Sequence, residues 1–235
     1  MAISGLLRCG EVAIRVFDLD EARHHYGKCI GLIESYEGDD DKIYYKCPDE
    51  HDQYSIVLRK DDKPGIDYFA FKTLKDEDLE VYEKGLGEFG IECNWIEAGV
   101  YPKSGRRLAF TLPTGHEMHI YAHKEQVGNG MATLNPGTIP DEGYIRGMRT
   151  VRVDHLLVGG PNIDQNREIF EKVFDYKVSE QLISHEDGSR LAIFMSGSNK
   201  PHDIAFILQP EEGRFHHVSF LLDLVNDLYR AAELT

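Results

Sequence analysis

Apolar and polar residues change their period several times along the chain, and each change marks an element. From Cys9 the stretch CGEVAIRVF alternates, with Val12, Ile14 and Val16 on one side, and then gives way to Leu19, Ala22, Tyr26 and Ile30 at helical spacing. This predicts a strand followed by an amphipathic helix, with Asp18 or Asp20 as its N-cap. The same succession returns at VDHLLVGGPNIDQNREIFEKVFDY: a short apolar strand, then Ile169, Phe170, Val173 and Phe174 on one helical face, behind Asn162 or Asp164 as the cap. More strands follow each helix. In the first half they are predicted at KIYYKC, YSIVLR and IDYFAF, then a helix over Asp76 to Phe89, then strands at RRLAFTLP and EMHIYAH. In the second half they are predicted at KVSEQLIS, RLAIFMS, DIAFILQ and HHVSFLL, and Leu224, Leu228 and Ala231 space a closing helix in DLVNDLYRAAELT.

The two halves match element for element. Laid over one another segment by segment, at an offset of 144 for the first strand and 149 for IDYFAF on HHVSF, they place Glu11 on His155 and Tyr68 on His217. A strand-helix-strands unit of roughly 60 residues has been duplicated, and such units pair to build curved mixed sheets. Between Lys124 and Thr150 the text holds five glycines and two prolines with little periodicity, as a connection does. The expected architecture is therefore α+β, two similar domains over residues 1–134 and 151–235, joined across 135–150.

Composition narrows the function. With 41% hydrophobic and 29% charged positions in 235 residues, the chain is an ordinary globular sequence able to bury one large core or two smaller ones. No apolar run approaches the ~18 residues of a membrane span and the start lacks a secretory signal, so the expected compartment is the cytoplasm. A net charge of -15 repels phosphate backbones and anionic lipid surfaces, which argues against nucleic acid or membrane partners. Cys9, Cys29, Cys47 and Cys93 form no CxxC pair and read as reduced thiols. GDDDK at Gly38 lacks the alternating acids and closing Glu of a calcium loop and reads as a solvated turn.

Histidine is what the repeat does not explain. The second half carries His155 at a strand start, His202 just before DIAFILQ, and His216 and His217 at the start of HHVSF. Neutral imidazole suits iron or zinc, and strand starts hold ligands rigidly. Strand neighbours face opposite ways, so only one of His216 and His217 faces a given site, and the repeat selects His217. His24, His25, His51, His116, His123 and His185 lie on helix faces or in loops and read as structural. In the first half the equivalent positions hold Glu11, Tyr68 and His119, a set that is able in principle to bind metal but is expected to be metal-free.

VRVDHLLVGG and NKPHDIAFILQPEEGRFHHVSF, set in the duplicated architecture, resemble the two-domain extradiol dioxygenases of the catechol 2,3-dioxygenase (metapyrocatechase) family, in the vicinal oxygen chelate superfamily. The resemblance runs from the first strand to the last residue. It implies paired βαβββ modules and Fe(II) held by two histidines and a glutamate. It makes His155 and His217 ligands, His202 the acid-base residue, and Leu157 and Phe194 walls of the ring pocket. It also implies a catechol-type substrate and O2 as partners, 2-hydroxymuconic semialdehyde as product, and a homotetramer. His119 lies 51 residues after Tyr68, and the same interval after His217 reaches position 268, beyond Thr235. The third ligand, a glutamate, is thus expected outside these residues. The expectation is an incomplete last module and a chain that, taken alone, binds iron weakly and is inactive. Two other readings stay open: another metalloenzyme on this scaffold using Zn or Mn, and a metal-free module that sequesters an aromatic ligand.

Overall fold

The computed structural model describes residues 5–38, 40–128 and 146–235. The chain begins with β1 (Leu6–Val16) and α1 (Leu19–Ala22), which widens into a π-helical stretch (Arg23–Ile30), followed by β2 (Ile33–Glu37), β3 (Ile43–Lys46) and β4 (Ile56–Lys60). Next come β5 (Gly65–Thr73), α2 (Asp78–Glu88), β6 (Cys93–Ile96), β7 (Arg107–Thr111) and β8 (Glu117–Tyr121). The second half has β9 (Thr150–Gly160), α3 (Ile163–Lys172), β10 (Lys177–Ile183), β11 (Arg190–Ser196) and β12 (Ile204–Leu208), then β13 (Arg214–Leu222) and α4 (Val225–Leu234). Among the described residues these are three βαβββ units and the first two elements of a fourth. Within each full unit the last strand lies beside the first, giving the orders β2-β3-β4-β1, β6-β7-β8-β5 and β10-β11-β12-β9. The returning strand is parallel to the first in β5·β8 and in β9·β12, an arrangement that the intervening helix makes possible.

Packing separates the chain into two compact units that interleave the halves: residues 1–12, 66–123 and 155–218 form one, and residues 13–65, 124–154 and 219–235 the other. The expected division at 135–150 concerns the duplication rather than packing, and most of that connection lies outside the described residues. The first unit is built on aromatic rings. Phe170, fully buried on α3, meets Phe71 of β5 at 6.4 Å, Phe206 of β12 at 5.3 Å, Tyr176 at 5.3 Å and Phe174 at 5.1 Å between ring centroids. Tyr82 of α2 reaches the same cluster through Phe174 at 5.4 Å. Such edge-on pairs add about 0.5–1.5 kcal/mol each beyond the area they bury. In the second unit the buried Glu50 carboxylate accepts bonds from the Cys47 amide at 3.0 Å, the Val153 amide at 3.0 Å and the Ser55 hydroxyl, which satisfies the charge.

Several local expectations change. Asp18 caps α1, accepting from the amides of Asp20 at 2.8 Å and Glu21 at 3.0 Å. Asn162 stands at the N-cap position of α3 but does not cap with its side chain: its φ is 57°, and its amide nitrogen donates instead to the Pro113 carbonyl at 3.3 Å. Two strands, β2 and β6, were not expected. Both are edge strands with half-exposed residues, so neither shows the alternation of a strand with one buried face. The four cysteines are free thiols, and no helix among the described residues is long and apolar enough to cross a membrane.

His116 is fully enclosed and joins three segments of the first unit. The Asn166 amide donates to the Thr114 hydroxyl at 2.8 Å, that hydroxyl donates to His116 Nδ1 at 2.9 Å, and His116 Nε2 donates to the Arg214 carbonyl at 3.1 Å. The chain of bonds needs a neutral ring, and burial, partly offset by the Arg214 bond, holds the pKa below 6.5. The unfolded chain then binds a proton that the folded one refuses, so stability is lost as pH falls through the unfolded value of about 6.5. We expect the melting temperature to drop more steeply between about pH 7 and about pH 5 in the wild type than in His116→Gln. Equal slopes in scanning calorimetry would remove His116 from the acid response.

Candidate active site

β9 and β13 are neighbours in one sheet and each contributes a histidine: His217 is the fourth residue of β13, whereas His155 lies at the middle of β9 rather than at the strand start expected from the sequence, because β9 begins already at Thr150. Alternation along β9 puts His155 and Leu157 on one face and the fully buried Leu156 on the other. Across the strands, Leu157 pairs with Ala205 of β12, and Ala205 pairs with Phe194 of β11. His155, Leu157 and Phe194 therefore share a face. His217 of β13 completes it: its Nε2 stands 3.3 Å from His155 Nε2. Its Nδ1 faces His216 Nδ1 at 2.8 Å, and His216 itself is exposed, as the alternation requires.

His202 sits in the loop before β12, its ring 4.2 Å from that of His155 and 5.1 Å from that of Phe194. The loop owes its shape to Asp203, a residue to which the sequence reading gave no role. This carboxylate is fully buried, accepts from the Gly197 amide at 3.0 Å and the Ser198 hydroxyl at 3.1 Å, and pairs with Lys200 Nζ at 3.0 Å. Its backbone is tied on both sides, to the Met195 carbonyl at 2.9 Å and the Leu156 amide at 3.3 Å. His202 is thereby fixed beside β9. The only signal in the sequence was its place directly after His202.

Four of the five residues expected at the site meet through their rings, and Leu157 lies in the same row. His155, His202, His217 and Phe194 are half-buried, so the face is open enough to admit a ligand. Burial lowers the pKa of His217, and the neighbouring His155, His216 and His202 lower it further, which keeps the ring neutral and its lone pair available near pH 7. Two imidazole nitrogens, each about 2.0–2.1 Å from one ion, stand roughly 3.0–3.4 Å apart. The His155–His217 separation thus fits two ligands of a single ion. No group of three His, Cys, Asp or Glu side chains is arranged to hold an ion among the described residues.

The first half repeats the geometry with different chemistry. Tyr68 of β5 donates its hydroxyl to Glu11 of β1, so the two positions equivalent to His217 and His155 also meet. The other Glu11 oxygen accepts from Arg107 Nη2 at 2.8 Å, and both charged side chains are fully buried. His119 stacks on Tyr68 at 4.3 Å.

Known proteins resemble the chain along its whole described length. Residues 66–125 match the family model "Catechol 2,3-dioxygenase-like N-terminal domain", and residues 152–234 match "Glyoxalase/Bleomycin resistance protein/Dioxygenase superfamily". The metapyrocatechase of Pseudomonas sp. (strain CF600) is 40% identical over 98% of this chain and 74% of its own length. The manganese-dependent 2,3-dihydroxybiphenyl 1,2-dioxygenase of Geobacillus genomosp. 3 is 25% identical over 97% of this chain and 73% of its own. The crystal structure of the 2,3-dioxygenase LapB from Pseudomonas sp. KL28 superposes with a TM-score of 0.94 at 37% identity, over 99% of this chain and 81% of that one.

The electrostatics of the histidine face give an immediate test in metal-free protein. His217 should titrate below 6.5 in an NMR pH series, and His155→Ala should move it upward, because part of the burial and the Coulombic influence of that neighbour are both removed. A His217 pKa that does not respond to the substitution would separate the two rings.

Proposed function

Because the chain belongs to the catechol 2,3-dioxygenase (metapyrocatechase) family and has the vicinal oxygen chelate fold of the Glyoxalase/Bleomycin resistance protein/Dioxygenase superfamily, we propose that it serves extradiol cleavage of catechol-type rings by O2. The observation that carries the proposal is the pair of Nε2 atoms 3.3 Å apart on β9 and β13. Fe(II) is the ion we assign, with manganese, named for one relative, as the second choice. His155 and His217 would hold the ion, which would supply a Lewis-acidic, redox-capable centre for the reaction of a catechol with O2.

The chain's own residues do the rest. His216, facing Nδ1 of His217, favours the tautomer in which Nε2 carries the lone pair. Phe194 and Leu157, in one row across the sheet, offer an apolar wall to the ring and orient its two oxygens toward the histidines. His202 stands beside His155 and Phe194, where it takes a proton from a catechol hydroxyl and returns it to the oxygen on which the ring opens. Asp203 keeps that ring in place. One catechol and one O2 combine, both oxygen atoms enter the product, and 2-hydroxymuconic semialdehyde follows when the bond beside the diol is cut.

His202→Phe separates proton transfer from metal binding. In an intact enzyme the variant should retain its iron, measured by mass spectrometry, while ring cleavage slows on the order of a hundredfold or more. His217→Ala should lose both iron and activity. Iron loss in His202→Phe equal to that in His217→Ala would make His202 a ligand and overturn its assigned role.

A further inference from the structure

Within the packed unit of residues 13–65, 124–154 and 219–235, a cavity of 470 Å³ is lined by Arg23, Gly27, Lys28, Glu34, Tyr45 and Arg146. Three of these come from the π-helical stretch Arg23–Ile30. Bonding from i to i+5 stacks residues five apart, so this stretch sets Arg23 and Lys28 one above the other, and such turns are rare and frequent at functional sites. Gly27 lets the floor approach: a Cβ there would lie 3.2 Å from the Tyr45 hydroxyl oxygen. Tyr45 of β3 pairs with Glu34 of β2, so their side chains share a face. Although Tyr45 is only 2% exposed, its hydroxyl has no hydrogen-bond partner among the described residues, which is costly for a buried polar group. Burial, with Glu34 adding to it and Arg23 and Arg146 opposing, pushes its pKa up to about 12, and it remains a donor at neutral pH. Arg146 donates Nη2 to the Leu32 carbonyl, while its Nε is buried without a partner. The chain holds 41 acidic residues against 26 basic ones, yet neither Lys28 nor Arg146 has an acidic partner among the described residues.

We infer that this cavity binds the oxyanion group of a small organic acid, a carboxylate or a phosphate monoester, which the Tyr45 hydroxyl, Arg146, Arg23 and Lys28 receive together. Two guanidinium groups and an ammonium offer charge-assisted donors, the strong class of hydrogen bond to such a group. The ligand is organic because 470 Å³ falls among small-molecule pockets, about 300–1,000 Å³, and far exceeds a bare ion. Glu34 competes with it, since its carboxylate already bonds Arg23 at 3.4 Å and repels an incoming anion. The site shares no residue with the histidine face and does not rest on the function proposed above.

Isothermal titration calorimetry on the metal-free chain, with benzoate, phenyl phosphate, inorganic phosphate and neutral benzamide as probes, tests this. Benzoate or phenyl phosphate should bind at a single site, and the tighter of the two identifies the head group. Inorganic phosphate should bind more weakly and benzamide not at all. Tyr45→Phe removes a hydroxyl that no described residue bonds, so the fold should survive while affinity falls roughly tenfold or more, the scale of one hydrogen bond to a charged group. Arg146→Gln should weaken binding likewise, Glu34→Gln should tighten it, and His155→Ala/His217→Ala should leave it unchanged. The inference is overturned if neither organic anion saturates, if inorganic phosphate or benzamide binds equally well, or if affinity ignores both Tyr45→Phe and Arg146→Gln. Binding lost in His155→Ala/His217→Ala would place the ligand on the histidine face and overturn it as well.

Discussion

The first strand of one βαβββ unit lies beside the first strand of the next, and the chemistry of the molecule depends on that adjacency. It sets β1 against β5 and β9 against β13. Residues 57 positions apart in one pair and 62 apart in the other are thereby brought into side-chain contact on the face of a sheet. What sits at these two positions decides the outcome. Two imidazoles make a half-open face, the one proposed to take a metal ion, whereas a carboxylate and a phenol, closed by an arginine, make a dry ionic core. A single backbone geometry accommodates both, which is how fold and function come apart within one chain.

Around that adjacency the remaining structure acts as support. The aromatic cluster centred on Phe170 packs α3 against β12, the strand that runs parallel to β9. Asp203 then converts the turn before β12 into a rigid perch for His202 by spending its carboxylate on loop amides and hydroxyls. Farther along, the ordered Asn166, Thr114 and His116 bonds end on the carbonyl of Arg214, three residues before His217. Close packing is needed there: a Cβ at Gly160, the last residue of β9, would lie 2.6 Å from the Thr114 carbonyl oxygen. Pre-positioning of this kind holds the two histidines at the spacing that the proposed metal site requires.

Periodicity made most of this legible. Every described strand except β2 and β6 stands where alternation or a short apolar run predicts it, and the repeat alone selected His217 over His216. β2 and β6 escaped because they are short and half-exposed, with no alternation to read, and the π-helical stretch Arg23–Ile30 escaped because its hydrophobic spacing is close to that of an α-helix. Arg107 and Asp203 escaped for another reason. Each is a charge that becomes informative only when it is seen to be fully buried against a partner, Glu11 from 96 residues away in the first case and a local loop in the second. The packed units were also hidden, because α2 and α3 share an aromatic core across the halves that the repeat separates.

The central claim is that the His155 and His217 face, loaded with Fe(II), cleaves catechol with O2. An oxygen electrode and a spectrophotometer read together decide it on anaerobically reconstituted intact enzyme. The account predicts one O2 consumed per catechol, matched by yellow ring-cleaved product, with both signals lost in His155→Ala. Oxygen uptake that yields quinone or peroxide instead, or cleavage that survives the loss of His155, would contradict it.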